Sequence, residues 1–253
     1  MSSIVIAGIV FVCTFGGAML GMFLRSVLPE AHLNPDSKEV IRITSGLLAT
    51  LAALVLGLLV ASAKSGFDAQ ENGFQQLAAN VIVLDRLLAR GGPNTDKARE
   101  ALHRTVSRTI DSLWPEADSK SSGMDASEIT SEADSFFATI RDLDAGDDSQ
   151  RTIQTQALQL AAEMARTRWL LSQEQDSASS IPFFVVLLFW LFALFVSFGL
   201  FAPRNSAVMT AIVVCALSAA VAVFLIVDLN RPSGGLIQVP STSLRYALSQ
   251  LGK

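Results

Sequence analysis

The residues that could carry chemistry in this chain are few, and they stand apart from one another. His32 and His103 are its only histidines, and neither has a Cys or a second His nearby at the spacing that a zinc site requires. Four aspartates within 142–148 resemble a calcium loop, but no glutamate follows at the twelfth position to close it. Gly91-Gly92 and Gly234-Gly235 lack the Lys-Ser/Thr of a phosphate-binding loop. The sequence therefore predicts no catalytic residue, no metal site and no cofactor, and it argues against an enzyme.

Charged residues at the ends of apolar segments are more informative. Arg42 and Lys64 stand on either side of one uncharged segment, and Asp228 follows another. Charges at the ends of a membrane helix can form the rims of a pore, and opposite charges at one depth can pair. Arg42, Lys64 and Asp228 are thus candidate pore-mouth charges. The sequence leaves open whether Lys64 and Asp228 are partners or independent interfacial anchors.

The segments between these charges have the length of membrane spans. Each has 20 or 21 residues, lacks Asp, Glu, Lys, Arg and His, and would be about 30 Å long as a helix, which matches a hydrocarbon core of roughly 30 Å. The four segments are Ile4–Leu24, Ile43–Ala63, Phe183–Ala202 and Ala207–Val227. We therefore predict an all-α, polytopic membrane protein with four transmembrane helices in two pairs and the lipid bilayer as its surroundings.

The spans divide the chain into predicted parts that differ in charge. A transmembrane hairpin over 1–63 and another over 181–230 enclose a soluble domain over 64–180, and a tail covers 231–253. The soluble domain holds 19 acidic and 12 basic residues, net −7, and the rest of the chain is net +3. An acidic domain of this kind is a poor partner for nucleic acid, because binding phosphates requires clustered Lys and Arg. With four spans, both termini and the soluble domain share one side of the membrane, and we expect that side to be the cytoplasm.

The soluble domain shows helical periodicity and no alternation long enough for a sheet. Apolar residues at a spacing of three to four predict helices that end at Gly91-Gly92-Pro93 and again at Pro115, with Asn94 or Thr95 as the cap of the second helix. Two further helices are predicted before the third span. Their apolar stripes predict an antiparallel bundle. The stripe residues are Phe67, Phe74, Leu77, Val81, Leu84 and Leu88, then Ala98, Leu102, Val106, Ile110 and Leu113, then Phe136, Ile140 and Leu143, then Ile153, Ala157, Leu160, Met164 and Leu171.

The second span has a small residue at every fourth position. Such a face either lets another helix backbone approach closely or leaves room for a lumen. The third span differs, because seven phenylalanines crowd it, and we expect it on the lipid-facing outside. The candidate pore-lining residues of the second span are Ser45, Ala49, Ala53, Gly57 and Ala61.

Several stretches of the chain resemble the bestrophin-like family of bacterial four-span membrane proteins. They cover Leu56–Lys64, Thr167–Leu170, Phe198–Asn205 and Asp228–Ile237. Asn230 and Ser233 depart from the family's closing motif, which usually has an acidic residue and Phe there. The resemblance implies a multi-pass protein of the bacterial inner membrane. Its distant likeness to bestrophins, which are pentameric anion channels whose second span lines the pore, further implies a homo-oligomer that conducts an inorganic anion such as chloride.

Two hypotheses follow for function. One is a homo-oligomeric, anion-permeable channel built around the small face of the second span. The alternative is a non-conducting membrane scaffold or sensor whose soluble domain binds a cytoplasmic partner. The second span has no phenylalanine neck between Ile43 and Ala63, and no acidic calcium clasp is evident, so calcium gating is not expected.

Overall fold

The computed structural model describes residues 2–27, 35–114, 135–143, 146–174, 181–203, 205–230 and 236–252, and no strand occurs within these ranges. The prediction of an all-α protein is confirmed. The helices are α1 (Ser3–Val27), α2 (Pro35–Ala89), α3 (Asp96–Leu113), α4 (135–141), α5 (Asp148–Glu174), α6 (Ile181–Phe201), α7 (Ser206–Leu229) and α8 (Thr242–Gln250), and a 3-10 turn (Pro93–Thr95) precedes α3.

Four helices in the described part of the chain are long and apolar enough to cross a membrane. They are α1, α2, α6 and α7, and the mean hydropathy of their most apolar windows lies between 2.3 and 2.8. Three of the four predicted spans fall within one of them, and the predicted span Phe183–Ala202 extends one residue beyond the end of α6 at Phe201. The helices of the structure that could cross a membrane are thus the ones that correspond to the spans predicted from the sequence.

The chain forms two compact units. The first comprises 1–66 and 177–237, and the second comprises 67–176 and 238–253. Helix α2 contributes its first half to one unit and its second half to the other. We call them the apolar-helix unit and the helical-bundle unit.

In the apolar-helix unit, α1 packs against α6 through small residues. A Cβ atom added to Gly21 would clash with the backbone at Val196 and would lie 2.8 Å from the Leu200 nitrogen, and one added to Gly199 would clash with the carbonyl of Ala18. Only glycine therefore allows this approach. The expectation that α6 lies on the outside fits Phe183 and Phe189, which are exposed, but the opposite side of α6 is buried. The buried residues of α6 include Leu187, Leu194, Phe195 and Gly199.

The core of the helical-bundle unit is built from the second half of α2 with α3, α4, α5 and α8. The four predicted stripes contribute to it, as most of their residues are buried or half-buried there. The most deeply buried members are Val81, Leu84, Leu88, Ala98, Leu102, Ile110, Ile140 and Ala157, each at most 2% exposed. The prediction of amphipathic helices in this part of the chain is confirmed.

The turn after α2 forms where the glycines predict it. Gly92 has φ 77°, which favours glycine, and the Gly91 N–H donates to the Leu88 carbonyl at 2.8 Å. Thr95 occupies the N-cap position of α3, as one of the two predicted caps, but its side chain does not cap the helix. Its hydroxyl instead donates to the carbonyls of Leu88 at 2.7 Å and Gly92 at 2.8 Å, so it stabilises the end of α2.

The C-terminal segment contains a helix for which the sequence analysis made no prediction. Leu244 and Ala247 of α8 are buried in the core of the helical-bundle unit. The Trp114 indole N–H donates to the Val239 carbonyl at 2.9 Å, and the Gly252 N–H donates to an Asp85 carboxylate oxygen at 3.3 Å. Residues 238–252 are thus a packed part of this unit.

Candidate functional site

Helix α2 is the least covered of the four apolar helices. Only 6% of its most apolar window is buried, compared with 22–28% for α1, α6 and α7. The side of α2 that is covered faces the other apolar helices through Ala52 and neighbouring half-buried leucines. A large part of the surface of α2 therefore faces the surroundings of the chain.

The five candidate pore-lining residues do not share one open face. Ser45 and Ala49 are half-buried, and the Ser45 hydroxyl lies 2.7 Å from the Ser197 hydroxyl of α6. Ala53, Gly57 and Ala61 are exposed. The cause is geometric: four residues advance about 400° around an α-helix, so a strict four-residue spacing drifts about 40° at each step. The row starts against α6 and turns outward by Ala53.

The exposed surface of α2 has two strips of different character. One strip is small, and a Cβ atom added at either Gly46 or Gly57 would meet no atom within 4 Å. It comprises Gly46, Thr50, Ala53, Gly57 and Ala61. The other strip is large and apolar, and comprises Ile43, Leu47, Leu54 and Leu58, each more than 60% exposed. Small residues admit a lumen or a close helix, and large ones suit lipid or an apolar partner.

A groove with a basic mouth lies between α2, α6 and α7. Its volume is 1270 Å³, and Arg25, Lys38 and Arg42 all line it. Arg25 donates to the Ala202 carbonyl, which fixes its guanidinium beside the C-terminal end of α6. Arg42, a candidate mouth charge, thus belongs to a cluster of three cations near the N-terminal end of α2. Lys64 follows the apolar segment of α2 at its other end and is exposed.

Asp228 differs from the other charged residues near the apolar helices, because it is buried, at 1% exposure. Its carboxylate accepts hydrogen bonds from the backbone N–H groups of Leu236 at 3.2 Å and Ile237 at 2.8 Å. The sequence predicts Asp228 as a candidate mouth charge that is either a partner of Lys64 or an independent interfacial anchor. Asp228 opens the closing stretch Asp228–Ile237, and this position is the feature of the sequence that points to its observed role. Residues 231–235 of that stretch, including Ser233, lie outside the described residues.

A second buried charge also escaped the sequence analysis. Asp85, on α2, and Arg99, on α3, form a two-pronged ion pair at 2.8 and 3.1 Å, and the Asp85 side chain is only 4% exposed. The hydrogen bonds that Arg99 donates to the Asp85 carboxylate raise the pKa of Arg99 above its ordinary value, against a smaller opposing effect of burial. Together with the Gly252 N–H, this pair joins three segments of the helical-bundle unit.

The other candidates for chemistry stay separate. His103 is exposed on α3, whereas His32 lies outside the described residues. Cys13 is half-buried and Cys215 is exposed. Within the described ranges, no group of three or more His, Cys, Asp or Glu side chains is placed to hold a metal ion.

Comparisons with known proteins agree with this geometry. Residues 12–244 match the family model for the bestrophin-like domain. A variant of a bacterial bestrophin homolog from Klebsiella pneumoniae has a similar solved structure, with a TM-score of 0.62 at 15% identity, and the match covers 97% of this chain and 98% of that one. No curated protein sequence matches the chain.

Proposed function

Because the chain belongs to the bestrophin-like family and has the bestrophin fold, we propose that it is a homo-oligomeric, anion-permeable membrane channel whose α2 helices line the pore. The observation that carries the proposal is the open small strip of α2. A lining helix must leave one face uncovered in the protomer, and α2 is the apolar helix that does so most completely. The family resemblance favours a pentamer.

The charges on α2 favour the permeation of anions over cations. Between Arg42 and Lys64 the helix has no ionisable side chain, so its throat would hold no ion tightly. Selection would then depend on the width of the throat, on dewetting and on the charges at its mouths. Arg42 supplies a positive rim at one end and Lys64 at the other. Neutralising either rim should weaken anion preference without closing the pore.

We further propose that α1, α2, α6 and α7 cross the inner membrane and that the termini and residues 64–180 are cytoplasmic. Single cysteines at positions 34 and 122, which both lie outside the described residues, test this orientation in a background without Cys13 and Cys215. In intact cells an impermeant maleimide should label position 34 and spare position 122. Labelling of 122 alone, or of both, contradicts the orientation.

The channel is tested by chloride flux from liposomes that contain the purified protein. The parent should release chloride faster than empty liposomes, and Gly57→Leu should reduce the flux because its side chain enters the small strip. Gly16→Leu is the matched control, since Gly16 is also exposed with no atom within 4 Å of an added Cβ, but lies on α1. Lys64→Gln should retain flux with lower anion preference.

Mass measurement of the detergent-extracted protein distinguishes the outcomes. An oligomer without ion flux would favour the alternative of a non-conducting scaffold or sensor. In that case the helical-bundle unit would be the domain that binds a cytoplasmic partner. A monomer would contradict both the shared pore and the proposed role of the small strip. Cation-selective flux would contradict the assignment of the rims.

A further inference from the structure

We propose that the groove between α2, α6 and α7 is a binding site for an anionic phospholipid, with the phosphate headgroup at the basic mouth and an acyl chain along the apolar wall. The site shares Arg42 and Gly46 with the proposed channel, but its test does not require ion flux. It concerns the described residues of the apolar-helix unit alone, and three properties of the groove support it: its size, the gradient of polarity along it, and its charge.

The size of the groove exceeds what a small ion needs. Its 1270 Å³ lies above the roughly 300–1,000 Å³ that is typical of small-molecule sites. Along α2 the lining runs from Lys38 to Ala49, and along α7 it runs from Val208 to Cys215. From Arg42, the inner of the two cations on α2, to Ala49 and from Val208 to Cys215 the distance is seven residues, or about 10 Å of helix, which is long enough for the first part of an acyl chain.

The wall changes from charged to apolar along this length. Arg25, Lys38 and Arg42 stand at one end, and the wall beyond them is made mostly of small, aromatic and aliphatic side chains. Its two hydroxyls, those of Ser45 and Ser197, lie 2.7 Å apart and satisfy each other. Ala211 and Cys215 are exposed, and Phe198 is 47% exposed. Exposed apolar atoms next to clustered cations match a molecule that is anionic at one end and hydrocarbon at the other.

The charge also argues against a second copy of the chain as the occupant. Residues 1–66 and 177–237 contain four acidic residues, and the two whose side chains the structure describes, Glu39 and Asp228, do not line the groove. The same surface of another copy would thus offer few carboxylates to three cations. Arg25 uses one donor on the Ala202 carbonyl, and a guanidinium has five N–H donors, so others can reach a phosphate.

The test is competitive binding of two lipids that differ in headgroup charge. The detergent-extracted protein is incubated with equal amounts of phosphatidylglycerol and phosphatidylcholine, and bound lipid per subunit is counted by native mass spectrometry. We expect preferential retention of phosphatidylglycerol. Each of Arg25→Gln, Lys38→Gln and Arg42→Gln should weaken it about fivefold, whereas Lys97→Gln, an exposed cation on α3, should not.

A groove-filling variant separates this site from general attraction to charge. Gly46 lines the groove and has no atom within 4 Å of an added Cβ, so Gly46→Leu can fold while its side chain occupies the space. It should reduce lipid retention, and Gly16→Leu should not. Unchanged retention in Gly46→Leu, or equal retention of the two lipids by the parent, would overturn the proposal. So would finding the groove residues protected from labelling in a lipid-free oligomer, because the occupant would then be a second copy.

Discussion

The two halves of α2 have similar apolar content and opposite surroundings. In the second half, Leu84 and Leu88 are fully buried in the helical-bundle unit, whereas in the first half Leu54 and Leu58 are more than 60% exposed. In the second half, burial removes apolar surface from water and stabilises the protomer. The first half contributes little to the stability of one chain. Its sequence is instead suited to what surrounds the protomer, which we propose to be other copies and lipid.

The largest difference between the halves should come from a buried charge. Asp85→Ala removes the partner of Arg99 and of the Gly252 N–H, and breaking a buried ion pair costs about 3–5 kcal/mol. Thr44→Ala, a polar exposed position in the first half, should change the free energy of unfolding by less than about 0.5 kcal/mol. Thermal unfolding in detergent measures both. Equal effects would remove the contrast between the halves.

This cost should not depend on pH across the neutral and mildly alkaline range. The pKa of Arg99 is raised, so the stabilisation that it contributes is present below the ordinary arginine pKa and is lost only as pH rises through the higher folded value. The cost of Asp85→Ala should therefore be the same between about pH 7 and pH 9. A marked fall in that cost over this range would mean that another titrating group dominates.

A pair of leucine truncations compares the halves directly. Leu84→Ala should destabilise the protein by about 2–5 kcal/mol, because it leaves a cavity in a packed core. Leu58→Ala should leave the unfolding of the protomer nearly unchanged. If Leu58→Ala proves equally costly in the assembled protein, the large apolar strip is part of a subunit interface and not only a lipid-facing surface.

Glycine substitutions compare the close packing of α1 against α6 with the uncovered surface of α2. Gly21→Ala forces a Cβ against the backbone of α6 and should cost about 1–3 kcal/mol. Gly57→Ala meets no atom within 4 Å and should stabilise the helix by up to about 1 kcal/mol. Thermal melts of the two variants should shift in opposite directions, and a shared shift would indicate that Gly57 is closely packed in the assembly.

The smallest effect concerns the C-terminal segment. Trp114→Phe keeps an aromatic side chain, although a smaller one, and removes the indole N–H that donates to the Val239 carbonyl; loss of this hydrogen bond should cost about 0.5–1.5 kcal/mol. Hydrogen exchange of residues 238–252 should accelerate more than that of α3. No change in exchange would show that apolar packing of α8 alone fixes this segment.

The helices and their apolar faces could be predicted from the sequence because each depends on local spacing. The end of α2 at Gly91-Gly92 and the burial of Leu102 and Ile110 follow from patterns within a few turns of helix. The pairing of Asp85 with Arg99 and the capture of two backbone amides by Asp228 could not be predicted in this way. They bring together residues between eight and fourteen positions apart, and the spacing of apolar residues does not encode such contacts.

The candidate site shows the same limit. The small residues of α2 are plain in the sequence, but their exposure depends on how the helix is rotated against α6, and Ser45 is turned toward Ser197. The basic cluster was also missed as a unit. Arg25 lies on α1, whereas Lys38 and Arg42 lie on α2, and only the packing of α1, α2 and α6 brings them to one groove.

The crossing of α1 and α6 also bears on biogenesis. Arg25 and Ala202, which meet beside this crossing, are 177 residues apart in the chain. At a synthesis rate of about 5–20 residues per second, roughly 10–35 s pass between the emergence of α1 and that of its partner. During this interval the glycine face of α1 has no α6 to pack against. The nascent α1 must therefore wait in the translocation machinery or associate transiently with another helix before the native pair can form.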